Sequence, residues 1–181
     1  MNTNQFNEHE VRSDVERVQM ELPLREHALS IAIAYIGQKE DPPGSNAGKF
    51  VEDCLKLVGL GKGYAWCMAF VYRCYHEAAQ QLGQANPCPK TAGVMDCWRK
   101  APAANKVLTK AASAHNVPPG SQFIMSYGKG LGHTGIVAKI QGNTIHTIEG
   151  NTDANGSRTG GMVCARTRSM SDKKLLGFIV Y

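Results

Sequence analysis

Cys67 follows a glycine-rich approach holding Gly59, Gly61 and Gly63. After it, Phe70, Val71, Cys74, Tyr75 and Ala78 recur at helical spacing, with no Gly or Pro as far as Leu82. The pattern predicts a helix with Cys67 in its first turn. Unpaired backbone N–H groups and the positive dipole end favour an anion there. A thiol so placed loses its proton more readily, and the thiolate is the nucleophile. The same residues also suit a buried cysteine on the apolar face of a core helix.

Downstream, Gly132-His133-Thr134-Gly135-Ile136-Val137 reads as a glycine turn entering a strand. Thr144-Ile145-His146-Thr147-Ile148-Glu149-Gly150-Asn151-Thr152 reads as the next strand and the turn after it. A hairpin across Gln141-Gly142-Asn143 brings His133 and the Glu149/Asn151 pair to one end of a sheet. Alone, His133 reads equally as a strand-edge histidine. Together, a cysteine, a histidine on another element and a carboxylate or amide behind it are the parts of a thiol hydrolase. Glu149 is the expected orienting group for His133, because a carboxylate stabilises an imidazolium more than an amide does. Asn151 is a second polar member holding Glu149 or the ring, and Gly150 between them marks a possible bend.

At this point the chain resembles a family. Ala65-Trp66-Cys67-Met68-Ala69-Phe70-Val71, Gly132-His133-Thr134-Gly135-Ile136-Val137 and Ile148-Glu149-Gly150-Asn151-Thr152 are similar to the three motifs of CHAP domains. These cysteine, histidine-dependent amidohydrolases/peptidases are a branch of the papain-like, NlpC/P60-related group. The resemblance runs from about Leu24 to Tyr181. It implies cleavage of an amide bond in bacterial peptidoglycan, by an amidase or an endopeptidase, as in phage endolysins and secreted antibacterial effectors. By resemblance Cys67 is the nucleophile, His133 the base, and Glu149 and Asn151 the orienting residues; no metal or organic cofactor is implied. Many members carry a polar residue before the cysteine, where this chain has Trp66, so the second oxyanion donor is unassigned. Trp66, Ser45 and Asn46 are candidate substrate contacts, the last two because that loop borders the groove in the family. Ser45 or Asn46 reads alternatively as a helix cap. Other readings of the same site are a papain-like protease or acyltransferase on a protein substrate, or an inactive wall-binding module.

The elements that must position these residues read as helices first and strands last. Residues 7–22 are expected to form an acidic amphipathic helix ending at Pro23, and we separate residues 1–23 from a catalytic domain over 24–181. Helical spacing predicts a helix over 24–37 with Ala28, Ile31, Ala32, Tyr35 and Ile36 inward. A second carries the stripe Phe50, Cys54, Leu57 and Val58. Short helices are expected over 94–99 and 106–115, the first carrying Trp98 against the core. Strands are expected over 122–127, 135–140, 144–148, 162–166 and 177–181. This order gives an α+β fold, papain-like by the resemblance, with N-terminal helices packed on a C-terminal antiparallel sheet. His146 alternates within its strand and reads as structural. Residues 151–156 resemble the opening of an EF-hand loop, but the closing position holds Met162, so no metal site is assigned.

The length of 181 residues suits one domain able to bury a core, and a monomer is expected. The apolar run over 28–36 is too short to span a bilayer, and no secretory signal is visible. The chain is therefore expected to be made in the cytoplasm and brought to the wall by a holin or a contractile (type VI-like) secretion system. Delivery machinery or an immunity protein would then be partners beside peptidoglycan. Six cysteines without metal-type spacing read as mostly reduced thiols. The net charge of +5 conceals an acidic beginning and a basic remainder. That remainder suits an anionic surface such as teichoic acid, or is an ordinary solvated face. No motif supports nucleic acid binding.

Overall fold

The computed structural model describes residues 22–153 and 160–181. The expected helix over 7–22 lies outside the described residues, apart from Leu22. The chain runs α1 (Leu24–Ala34), α2 (Lys49–Leu57), α3 (Cys67–Gln81), α4 (Val94–Lys100), β1 (Lys106–Leu108), β2 (Gln122–Gly128), β3 (Leu131–Gln141), β4 (Thr144–Thr152), β5 (Met162–Ser169) and β6 (Leu175–Ile179). It is an α+β fold. The strands form one antiparallel sheet of six, ordered β1-β6-β2-β3-β4-β5.

The alternation of strand side chains divides the core in two. Ile124, Ile136, Ile148, Val163 and Ile179 join the core built by the helices. Phe123, Met125, Val137, Ile145 and Phe178 form a second cluster, closed by Val117 and Leu175. α3 is the central helix, because its apolar residues occupy more than one face: Met68, Phe70, Val71, Cys74, Tyr75 and Ala78 are all buried. A helix apolar on most sides must be covered on most sides. α1 and α2 cover it from one direction and the sheet from the other. Arg73 staples the helices together. Its guanidinium lies 4.7 Å from the ring centres of both Tyr35 and Phe50 and donates to Glu77 at 2.7 Å.

Three sequence expectations change. The helix over 24–37 ends at Ala34, and Ile36 is 45% exposed, not inward. Residues 106–115 are not a helix; Lys106–Leu108 pairs with β6, with Val107 opposite Phe178, and a 3₁₀ turn follows at Thr109–Ala111. The open edge of β6 supplied partners that helical periodicity does not show. Neither Ser45 nor Asn46 caps α2, whose N-cap is Gly48. Trp98 packs partly buried against the core as expected. Among the described residues, no helix is long and apolar enough to cross a membrane.

Candidate active site

α3 begins at Cys67, as the periodicity predicts. The preceding residues 61–65 are exposed, while Trp66 and Cys67 are buried. Trp66 anchors this transition. Its indole is fully buried between Phe50 and Phe70, and Nε1 donates to Glu40 Oε1 at 2.8 Å. The Trp66 side chain is therefore a core residue and not a substrate contact, which corrects the expectation from sequence. Its polar atom found a buried carboxylate 26 positions away in the chain, a pairing no local pattern reveals.

β3 begins at Leu131, so His133 stands within the strand, opposite Met125, and not in the turn before it. Its ring is completely buried. Nε2 lies 2.7 Å from Glu149 Oε2. The Glu149 carboxylate stays ionised: burial pushes its pKa up, but Arg168 and His133 outweigh this and hold it at about 2. An ionised carboxylate only accepts, so Nε2 carries the proton and donates. That leaves Nδ1, buried and without a hydrogen-bond partner, as the nitrogen available to Cys67. Burial pulls the imidazole pKa down, yet interactions with Cys67 first and Glu149 second raise it from 6.5 to about 9. The raised pKa favours the protonated ring. In unliganded hydrolases such a contact is often loose and tightens with substrate.

Glu149 is held from three sides. Thr147 Oγ1 donates to Oε1 at 2.6 Å, and Arg168 donates through Nε to Oε1 at 2.8 Å and through Nη2 to Oε2 at 2.5 Å. Thr147 was legible as the same-face neighbour two residues before Glu149. Arg168 carried no sequence signal, since its place depends on how β5 pairs with β4.

Asn151 does something other than expected. A break in register lies between Glu149 and Thr152, and Asn151 takes a left-handed φ of 56°. With the amide oriented as its partners require, its oxygen accepts from the Trp66 N–H at 3.2 Å and its nitrogen donates to Gly160 O at 3.1 Å. Its side chain therefore holds the backbone entering α3, not Glu149 or the ring. Gly150 lies at this break in register and also marks a close approach: a Cβ there would fall 2.7 Å from the Trp66 ring and 2.8 Å from Phe70. Ser45 and Asn46 are half-buried in a loop whose Asn46 O accepts from Gly63 N at 2.8 Å. That loop is thereby tied to the segment that leads to Cys67. The structure brings Cys67, His133 and Glu149 together, with Asn151 behind Cys67.

Matched against known protein families, residues 59–151, just over half of the chain, fit the CHAP domain. The chain belongs to the CHAP family. The matched span contains Cys67, His133, Glu149 and Asn151. Among solved structures, the wild-type endolysin LysIME-EF1 shares the CHAP-bearing chain's fold with a TM-score of 0.50 at 18% identity, over 86% of this chain and 62% of that one. The chain thus spans less than two thirds of that endolysin's length. No curated protein matches it. His146 is half-buried in β4, opposite Thr167 of β5, and the six cysteines are free thiols. Residues 154–156 of the stretch 151–156 lie outside the described residues.

Proposed function

We propose that this CHAP-family chain is a peptidoglycan hydrolase that cleaves an amide bond of the wall peptide by thiol catalysis. The observation that carries the reading is the arrangement of His133, with Nε2 fixed by Glu149 and Nδ1 left open for the thiol at the start of α3. In this reading Cys67 Sγ, its proton already taken up by His133 Nδ1, attacks the amide carbonyl carbon as a thiolate. The imidazolium proton on Nδ1 then passes to the leaving amine, and the C–N bond breaks to give a thioester. A water, deprotonated by the now neutral Nδ1, attacks the thioester and releases the acid and the thiol. The Cys67 N–H has no acceptor one turn back in the helix and donates to the oxyanion.

Support for the substrate comes from the family and from the surface. The exposed segments Lys62-Gly63-Tyr64 and Lys129-Gly130-Leu131 lead into Cys67 and His133 and offer cations beside apolar groups. Wall stem peptides carry free carboxylates, which such cations attract. The endolysin relative supports a lytic role, served by delivery to the wall through another system, whether from a phage or as an injected effector. The test is digestion of purified sacculi, with the new termini read by mass spectrometry. Termini on the lactyl group identify an amidase, and termini within the stem or bridge an endopeptidase. Cys67→Ala protein, folded as judged by circular dichroism, should release nothing. Release by that variant, or none by the parent on any wall type, removes the reading.

A further inference from the structure

We propose that Arg168 is a positioning residue of this site: it fixes the plane of the Glu149 carboxylate and shares its charge, so that His133 is both oriented and able to release its proton. The proposal rests on the thiol-hydrolase reading. It is distinct from the residues that carry the family motifs, because Arg168 lies on β5, beyond the matched span.

The geometry is a filled acceptor set. Glu149 Oε2 receives His133 Nε2 at 2.7 Å and Arg168 Nη2, while Oε1 receives Arg168 Nε at 2.8 Å and Thr147 Oγ1 at 2.6 Å. Two oxygens with about four lone-pair sites thus meet four donors, with none left over. The guanidinium fork binds both oxygens, so it sets the rotation of the carboxylate about its last bond. That rotation decides where Oε2 points, and Oε2 decides the tilt of the imidazole. The side chains are 12% and 0% exposed, so water does not screen the pair.

The charge argument is independent of the orienting one. A buried carboxylate facing the imidazolium alone would hold its proton hard, since Coulomb energy grows as the dielectric falls. A hydrolase of this kind must hold that proton and then give it to the leaving amine. Arg168 spends part of the carboxylate's charge and so loosens the hold. The groups facing this network are few. Cys67 faces the ring from α3 and Glu149 from β4. Cys164, opposite Glu149 on β5, interacts with both Glu149 and Arg168, and Arg166 on the same strand donates to Asp153 O. Tyr127 and Asp172 act on Arg168 beyond Glu149. The groups that hold Glu149 ionised are Arg168 and His133, and Arg166 is not among them, so no second cation replaces Arg168 beside the carboxylate.

Two substitutions separate the two roles. Arg168→Met removes both fork and charge; Arg168→Lys keeps the charge but not the fork. The His133 ring titration, followed by NMR on the whole chain, needs no substrate and so stands apart from the question of what is cleaved. Arg168→Met should move that titration upward from the parent's, and the alkaline limb of kcat/KM on sacculi should move with it. Arg168→Lys should leave the titration near the parent's and lower kcat by ~10-fold or more with little change in KM, the signature of misplaced catalytic groups. A folded Arg168→Met protein with the parent's titration overturns the charge role. Parent-like kcat in Arg168→Lys overturns the orienting role, and this second variant decides even if Arg168→Met does not fold.

Discussion

Glu149 reaches His133 by lying across Gly135. A Cβ built on Gly135 would stand 2.7 Å from Glu149 Cγ and 2.6 Å from Ile148 O. Gly135 is two residues from His133 on the same face of β3, so the carboxylate crosses the one position on that path with no side chain. Gly135 belongs to the catalytic geometry although it contributes no reacting atom.

Gly135→Ala should therefore be harmful. At a strand position with ordinary φ, Ala in place of Gly usually stabilises by about 0.4–1 kcal/mol through the unfolded chain. Here the obstructing atoms include backbone, which cannot give way cheaply. Overpacking of this kind costs roughly 1–3 kcal/mol. Chemical denaturation should show a net loss, and activity should fall further than stability because Glu149 is displaced. A gain in stability with full activity would refute the crossing.

Glu149→Gln tests the buried network as a unit. The change leaves Arg168 inside with an amide in place of its counter-charge. Breaking one partner of a buried pair costs about 3–5 kcal/mol, whereas removing both is often near neutral. The single variant should unfold early in urea, and the double variant Glu149→Gln/Arg168→Met should recover much of the loss while remaining inactive. If the double variant is no more stable than the single one, the two residues are not coupled in the folded protein.

The pH dependence has a defined sign. His133 is raised from 6.5 to about 9, so its contribution to stability is complete below 6.5 and is lost as pH rises through 9. Glu149 is lowered from 4.5 to about 2, so its contribution is complete above 4.5 and is lost as pH falls through 2. The first group raising His133 is Cys67 and the first lowering Glu149 is Arg168, so the two shifts report a four-membered network and not a single pair. Stability should be greatest between about pH 4.5 and 6.5 and decline on either side. Cys67 is the first of the groups that raise the imidazole, so Cys67→Ala should lower the His133 titration and shorten the alkaline decline. An unchanged titration in that variant would place the thiol away from the ring.

Asn151→Ala separates holding the helix entrance from orienting the ring. It removes the acceptor of the Trp66 N–H and the link to Gly160. A lost buried hydrogen bond of this kind costs about 1–3 kcal/mol. Activity should drop because Cys67 moves, while the His133 titration stays at the parent's value. A shifted His133 titration in this variant would show Asn151 acting on the imidazole instead.

Much of the site was written in local pattern. Cys67 starts a helix because a glycine-rich approach gives way to residues at helical spacing, and both signals lie within some twenty positions. His133 and Glu149 fall on adjacent strands because Gly142 and Asn143 make a two-residue turn, with Gly142 at φ 57°. The α+β order followed from the same periodicities. What the sequence did not contain was contact at a distance. The three-residue β1 exists through its pairing with β6, and helical spacing alone pointed the other way. Trp66 went inward because Glu40 was there to accept its N–H, and Asn151 left the ring because a break in the β4–β5 register turned it toward α3. Arg168 reaches Glu149 only once β5 is laid against β4. Spacing fixes the face on which a residue lies, since backbone dihedrals set the period. Which charge meets which across two strands is decided by register and burial, and those exist only in the folded chain.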